Sequence, residues 1–173
     1  MNSIVSANII RFFLLALTQV LIFKRIAFTW GDFAFIHFIV YPLFILLLPI
    51  KMSRPLIIFL GFLIGFFVDI FYDSLGVHAS ASVFTAYMRG HVLDFLEPRE
   101  GYKTKGSPTI ENMNINWFII YGSILLGLHL LFYFSVEAFS FVFFFEIIMN
   151  TIFSFLASSM IVILILLIFR PKN

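Results

Sequence analysis

Two carboxylates one helical turn apart, Asp69 and Asp73, interrupt the apolar run GFFVDIFYDSLG, and HASAS follows at residues 78–82. Groups this close could build a serine hydrolase from His78 with Ser80 and Ser82, or hold a divalent cation on Asp69, Asp73 and His78. Neither chemistry is complete. Acyl transfer needs an oxyanion hole that no segment supplies, and a cation site needs a further carboxylate at ligand spacing. No GxSxG, HExxH, phosphate-loop or dinucleotide fingerprint occurs. The expectation is a protein that is not an enzyme, with no cofactor and no metal. A second polar group is MRGHVLD, with Arg89, His91 and Asp94. A guanidinium keeps its proton, so inside a bilayer Arg89 must pair, bind an anion or extend to the headgroups. Glu146 is its candidate partner for an ion pair between helices. His37 and His129 stand alone on apolar stretches and read as satisfied structural residues.

The elements that carry these residues belong in a membrane. Hydrophobic residues make up 62% of the 173, charged residues 12%, and mean hydropathy is +1.08. Soluble domains lie nearer half apolar and a quarter charged. A net charge of +2 with no basic run gives no reason to expect nucleic acid. The absence of cysteine excludes disulfides, thiolate metal sites and a cysteine nucleophile. About 20 apolar residues cross ~30 Å of hydrocarbon as a helix. That rule predicts an all-α, six-transmembrane-helix bundle forming one membrane domain over residues 1–173. Its spans lie near 4–23, 33–50, 55–72, 77–96, 117–136 and 146–169. Arg11 interrupts the first apolar run and no small-residue cleavage site follows, so this segment reads as a retained span. Pro42 falls inside the second span, where other helices must satisfy the carbonyl it frees. AFSFVFFF, before the sixth, reads as interfacial, with the spanning helix starting near Glu146. Lys51, Arg54, Arg99, Lys103, Lys105, Arg170 and Lys172 fall on one side, and only Lys24 and Arg25 on the other. Both termini are therefore expected to be cytoplasmic. The polar connection, residues 97–116, reads as a mobile cytoplasmic loop.

Gly61, Gly65 and Asp69 recur every four residues and share one helix face; Ser82, Ala86 and Gly90 do the same on the next helix. With so short a turn between them, the two helices form an antiparallel hairpin packed small face to small face. Gly76 is placed to supply a positive φ at the reversal, Asp73 with Ser74 to cap it, and Asp69 needs a partner. His78 or a cation from another span are its candidates.

GFLIGFFVDIFYDSLGVHASASVFTAYMR, residues 61–89, resembles the signature hairpin of the rod shape-determining protein MreD family. YPLFILLLP, LEPREGY and LGLHLLFYFSVEAFSF extend the similarity over nearly the whole chain. Gly61, Gly65, Asp69, Gly76, His78 and Arg89 match the family pattern. The resemblance implies a non-enzymatic, multi-pass component of the bacterial inner membrane that scaffolds peptidoglycan synthesis during cell elongation. It implies association with MreC, and indirectly with MreB and a transglycosylase–transpeptidase pair, in a setting of membrane lipid. Implied positions are interfaces or packing sites rather than catalytic residues. The family is similar in topology to substrate-binding subunits of energy-coupling vitamin transporters, which form the rival reading. There Asp69, His78 and Glu146 would line a polar pocket.

Overall fold

Five long helices carry most of the described chain, which comprises residues 3–30, 33–74, 76–102, 106–109 and 112–169 of a computed structural model. They are α1 (Ser3–Leu21), α3 (Arg54–Tyr72), α4 (Val77–Phe95), α5 (Ile115–Ala138) and α6 (Phe144–Phe169). Local chemistry sets their ends. Ser53 precedes α3 and Pro55 occupies its first turn, where no backbone N–H is missed. Asp73 closes α3 in the left-handed conformation (φ 55°), and Gly76 enters α4 at φ 84°, a region that costs glycine nothing. The Asn114 side chain accepts a hydrogen bond from the Asn116 N–H at 3.0 Å and so starts α5. α6 begins at Phe144, two residues ahead of the expected Glu146.

Val5–Arg25, Arg54–Tyr72, Ile115–Ala138 and Phe144–Ile165 are each long and apolar enough to cross a membrane. Helix α4 matches their length but not their apolarity, and its position explains why. It packs against α3 on one side and α5 on another, and buries His78, Ala79, Ala81, Ser82, Thr85, Ala86, Arg89, Val92 and Leu93. A central helix meets mostly protein, so it can carry small and polar residues that a lipid-facing helix could not.

The second expected span is where the structure departs from the sequence reading. Residues 33–50 do not form one helix. Phe33–His37 is a strand, β2, paired antiparallel with β1 (Ala27–Trp30). An irregular stretch follows, then a single helical turn, α2 (Leu43–Leu46), and a bend at Leu48, just before Pro49. Prolines 42 and 49 both lack an N–H, so this stretch cannot keep a continuous helical ladder. Residues 39–48 are nevertheless the most buried part of the molecule, none of the apolar ones more than 3% exposed. Irregular backbone at membrane depth is tolerated only where protein surrounds it. Here it does.

The long connection also differs from expectation. Its described residues pack onto the bundle: Ser107 and Thr109 are buried, the Gly106 carbonyl accepts from the Ile50 N–H at 3.0 Å, and the Tyr102 hydroxyl donates to the Leu93 carbonyl at 2.6 Å. Lys103 and Lys105 lie outside the described residues.

Candidate functional site

Residues 37–50 expose backbone groups that no helix or sheet satisfies, and each unpaired buried group costs about 1–3 kcal/mol. Polar side chains from four helices meet them. Gln19 of α1 accepts from the Val40 N–H and donates to the Phe38 carbonyl, both at 2.9 Å. From α6, Ser154 accepts from the His37 N–H and Ser158 from the Ile39 N–H, each at 2.9 Å. From α5, Tyr121 donates to the Leu46 carbonyl at 3.0 Å. Arg89 of α4 donates through Nη2 to the Leu48 carbonyl, and through Nε to the Tyr121 hydroxyl at 2.9 Å. Arg11 adds long contacts to the Leu47 carbonyl and, at 3.0 Å, to Ser107. The polar residues inside the bundle act largely as substitutes for a missing helical ladder.

This overturns two expectations for Arg89. It is fully buried among protein groups rather than stretched out into solvent, and its Nε and Nη2 go to the Tyr121 hydroxyl and the Leu48 carbonyl rather than to Glu146. Glu146 sits in the first turn of α6 with Asn150 of the same helix, beside Glu137 near the end of α5, whereas Arg89 meets the beginning of α5 at Tyr121. The two lie toward opposite ends of the bundle.

Asp69 has its partner. Its carboxylate accepts from the His78 N–H at 3.0 Å, the Ala79 N–H at 2.8 Å and the Ser74 hydroxyl at 2.5 Å. It therefore caps the N-terminus of α4 from the neighbouring helix, where the helix dipole favours a negative charge. The expected contact with His78 is made by backbone, not by the ring. Ser74 serves Asp69 rather than Asp73, which is exposed and 3.9 Å from Lys24.

The small-residue hairpin forms as its spacing requires. A Cβ on Gly61 would stand 3.0 Å from the Ala86 Cβ and from the Ser82 carbonyl oxygen. A Cβ on Gly65 would stand 2.5 Å from the His78 carbonyl and 2.6 Å from the Ala79 Cα. Gly90 lies under the Arg54 side chain, and Arg54 pairs with Asp94 at 3.0 Å on the surface. His91 is exposed and packs edge-on against Tyr87.

A hydrogen-bonded chain fills the middle of the bundle, and its direction can be worked out. The Thr85 hydroxyl donates its single proton to the Ala81 carbonyl at 2.7 Å, so its contact with His129 Nδ1 at 2.8 Å requires an Nδ1–H donor. Neutral His129 then accepts at Nε2 from the Tyr41 hydroxyl, 2.9 Å away. Tyr41, its proton spent, accepts from His78 Nδ1–H at 3.1 Å. His78 Nε2 is left as a buried acceptor without a donor among the described residues, enclosed by the rings of Tyr41, Tyr72 and Tyr133. Ser82, also fully buried, stands by the Tyr41 hydroxyl.

These contacts bear on the hydrolase and transporter sketches. Ser80 donates to the Val77 carbonyl, and among the described residues no hydrogen bond joins the His78 ring to Ser80 or Ser82. Asp69, His78 and Glu146 do not line a common cavity among the described residues: the first two are buried and the third opens onto a separate pocket with Glu137. Outside the helices, partial burial and then the Glu97 carboxylate push the Tyr102 hydroxyl up to about 12, keeping it a neutral donor to Leu93.

Gln19, Tyr41, Thr85, Tyr121, Ser154 and Ser158 are site residues that the sequence reading missed. A signal existed for some: Gln19 is the polar interruption of an apolar helix, and Ser154 and Ser158 lie four apart on one face. Comparison with protein-family models, curated proteins and solved structures gives no match.

Proposed function

We propose that this chain is a non-enzymatic scaffold of the bacterial inner membrane, serving the cell-elongation machinery through association with MreC. In this reading the chain crosses six times, the broken segment at 37–50 making the second crossing and α4 the fourth, with both termini cytoplasmic. MreB and a transglycosylase–transpeptidase pair are reached indirectly. The order of motifs over residues 61–89 supports the family, and one structural observation supports the scaffold role. Asp69, His78, Thr85, Arg89 and His129, the residues with most capacity for chemistry, are at most 4% exposed and direct most of their hydrogen bonds to backbone, to Tyr41 and Tyr121, and to one another. An interior organised this way favours a fixed shape. Partners then meet the outer faces, where Phe59, Phe66, Ile70 and Leu156 present large apolar side chains.

Depletion of the protein in a rod-shaped host tests the reading. Rounded cells with normal vitamin uptake are expected. Rods of normal shape with lost uptake of one vitamin would instead assign the chain to the energy-coupling transporters.

A further inference from the structure

A cavity of about 160 Å³ opens where α3 begins and α4 ends, walled by Arg54, Arg89, Gly90, Asp94, Glu97 and Tyr102. It is well above the volume that one water needs. Arg89 uses Nε and Nη2 on Tyr121 and the second segment, but its Nη1 is buried and has no hydrogen-bond partner among the described residues. A buried guanidinium N–H left unpaired is costly, and it calls for an acceptor. The N-terminus of α3 also lies here without a side-chain cap, adding the positive end of a helix dipole. The opposite wall is acidic. Asp94 and Glu97 stand at the C-terminal end of α4, exposed, with the negative end of that dipole behind them.

We infer that this cavity binds a zwitterion carrying a phosphate and a primary ammonium, the phosphate toward Arg89 Nη1 and the α3 N-terminus, the ammonium toward Asp94 and Glu97. Two guanidinium groups and two carboxylates make the wall neutral, so an isolated anion would add uncompensated charge beside the carboxylates. A quaternary ammonium would fit less well, because it has no N–H to give them. Phe95, Leu56 and Phe59 are exposed apolar residues on the same two helices, which places the cavity beside an apolar surface. The headgroup of phosphatidylethanolamine supplies this chemistry from the membrane, and glycerophosphoethanolamine supplies it from solution. The site does not depend on the scaffold reading.

The test is native mass spectrometry of the purified full chain released from micelles holding equal amounts of phosphatidylethanolamine, phosphatidylglycerol and phosphatidylcholine. Ethanolamine lipid should be retained roughly tenfold over the other two, the advantage expected from one charge-assisted hydrogen bond. The double variant Asp94→Asn with Glu97→Gln, altered only at exposed positions, should fold normally and lose that preference. Displacement by added glycerophosphoethanolamine would identify a headgroup site open to soluble ligand; retention against it would identify a lipid site that also uses the acyl chains. Equal retention of all three lipids, or a preference unchanged in the folded double variant, would overturn the assignment.

Discussion

Replacing Gly65 by alanine should damage the bundle more than the same change at any other helical glycine. The added Cβ would lie 2.5 Å from the His78 carbonyl oxygen, 2.6 Å from the Ala79 Cα and 2.7 Å from the Ser82 Oγ. Two of these are backbone atoms that no rotamer change can move. Restoring ordinary contact requires α3 and α4 to part by about 1 Å, and forced overpacking costs about 1–3 kcal/mol. The same separation acts one turn on, where Asp69 holds the His78 and Ala79 N–H groups at 3.0 and 2.8 Å. Weakening that cap adds about 1 kcal/mol, for a loss of roughly 2–4 kcal/mol in all. Gly61→Ala, with its nearest atoms at 3.0 Å, should lose less, and Gly122→Ala, at 3.8 Å from Leu46 Cδ2, almost nothing. Denaturant unfolding in mixed micelles, followed by circular dichroism, would rank the three. Equal stability of Gly65→Ala and Gly122→Ala would refute the close approach and the argument built on it.

Three further outcomes follow from the network. Gln19→Leu keeps the volume but strands the Val40 N–H and the Phe38 carbonyl, and should lower unfolding free energy by about 2–4 kcal/mol in the same assay. Arg89→Lys retains the charge but cannot serve Tyr121 and Leu48 together, and should lose about 2–3 kcal/mol; a wild-type value would mean the fork is not needed. Nitrogen-15 spectra of labelled protein should show His129 as the Nδ1–H tautomer and His78 likewise, with His78→Gln moving the His129 signals through Tyr41; Nε2–H forms would reverse the chain.

Much of the bundle was legible because lipid-facing helices need long apolar runs. The spans read near 55–72 and 117–136 fall close to α3 and α5, which are long and apolar enough to cross a membrane, whereas α4 matches the bounds read at 77–96 without that apolarity. The glycine spacing of α3 located its partner, since small residues four apart are useful only against another backbone. Residues 33–50 defeated the same rule. Hydropathy measures whether a segment can leave water, not whether it can hold a helical ladder, and a segment enclosed by protein is as apolar as one facing lipid. Pro42 was the available warning, and it read as a single freed carbonyl inside a spanning helix because the groups that replace the ladder lie far off in sequence. Ser154 and Ser158 sit more than a hundred positions from the N–H groups they satisfy. Arg89 was misassigned for the same reason. A carboxylate is a visible partner in sequence, whereas a carbonyl freed by a proline becomes visible only once the chain is folded.

The association claimed for this chain is tested most directly by mass spectrometry of proteins crosslinked to it in living cells, with the tag placed at its own locus. Recovery of MreC with cell-wall synthases is the predicted result. Recovery of transporter ATPases and their permease, without MreC, would contradict it.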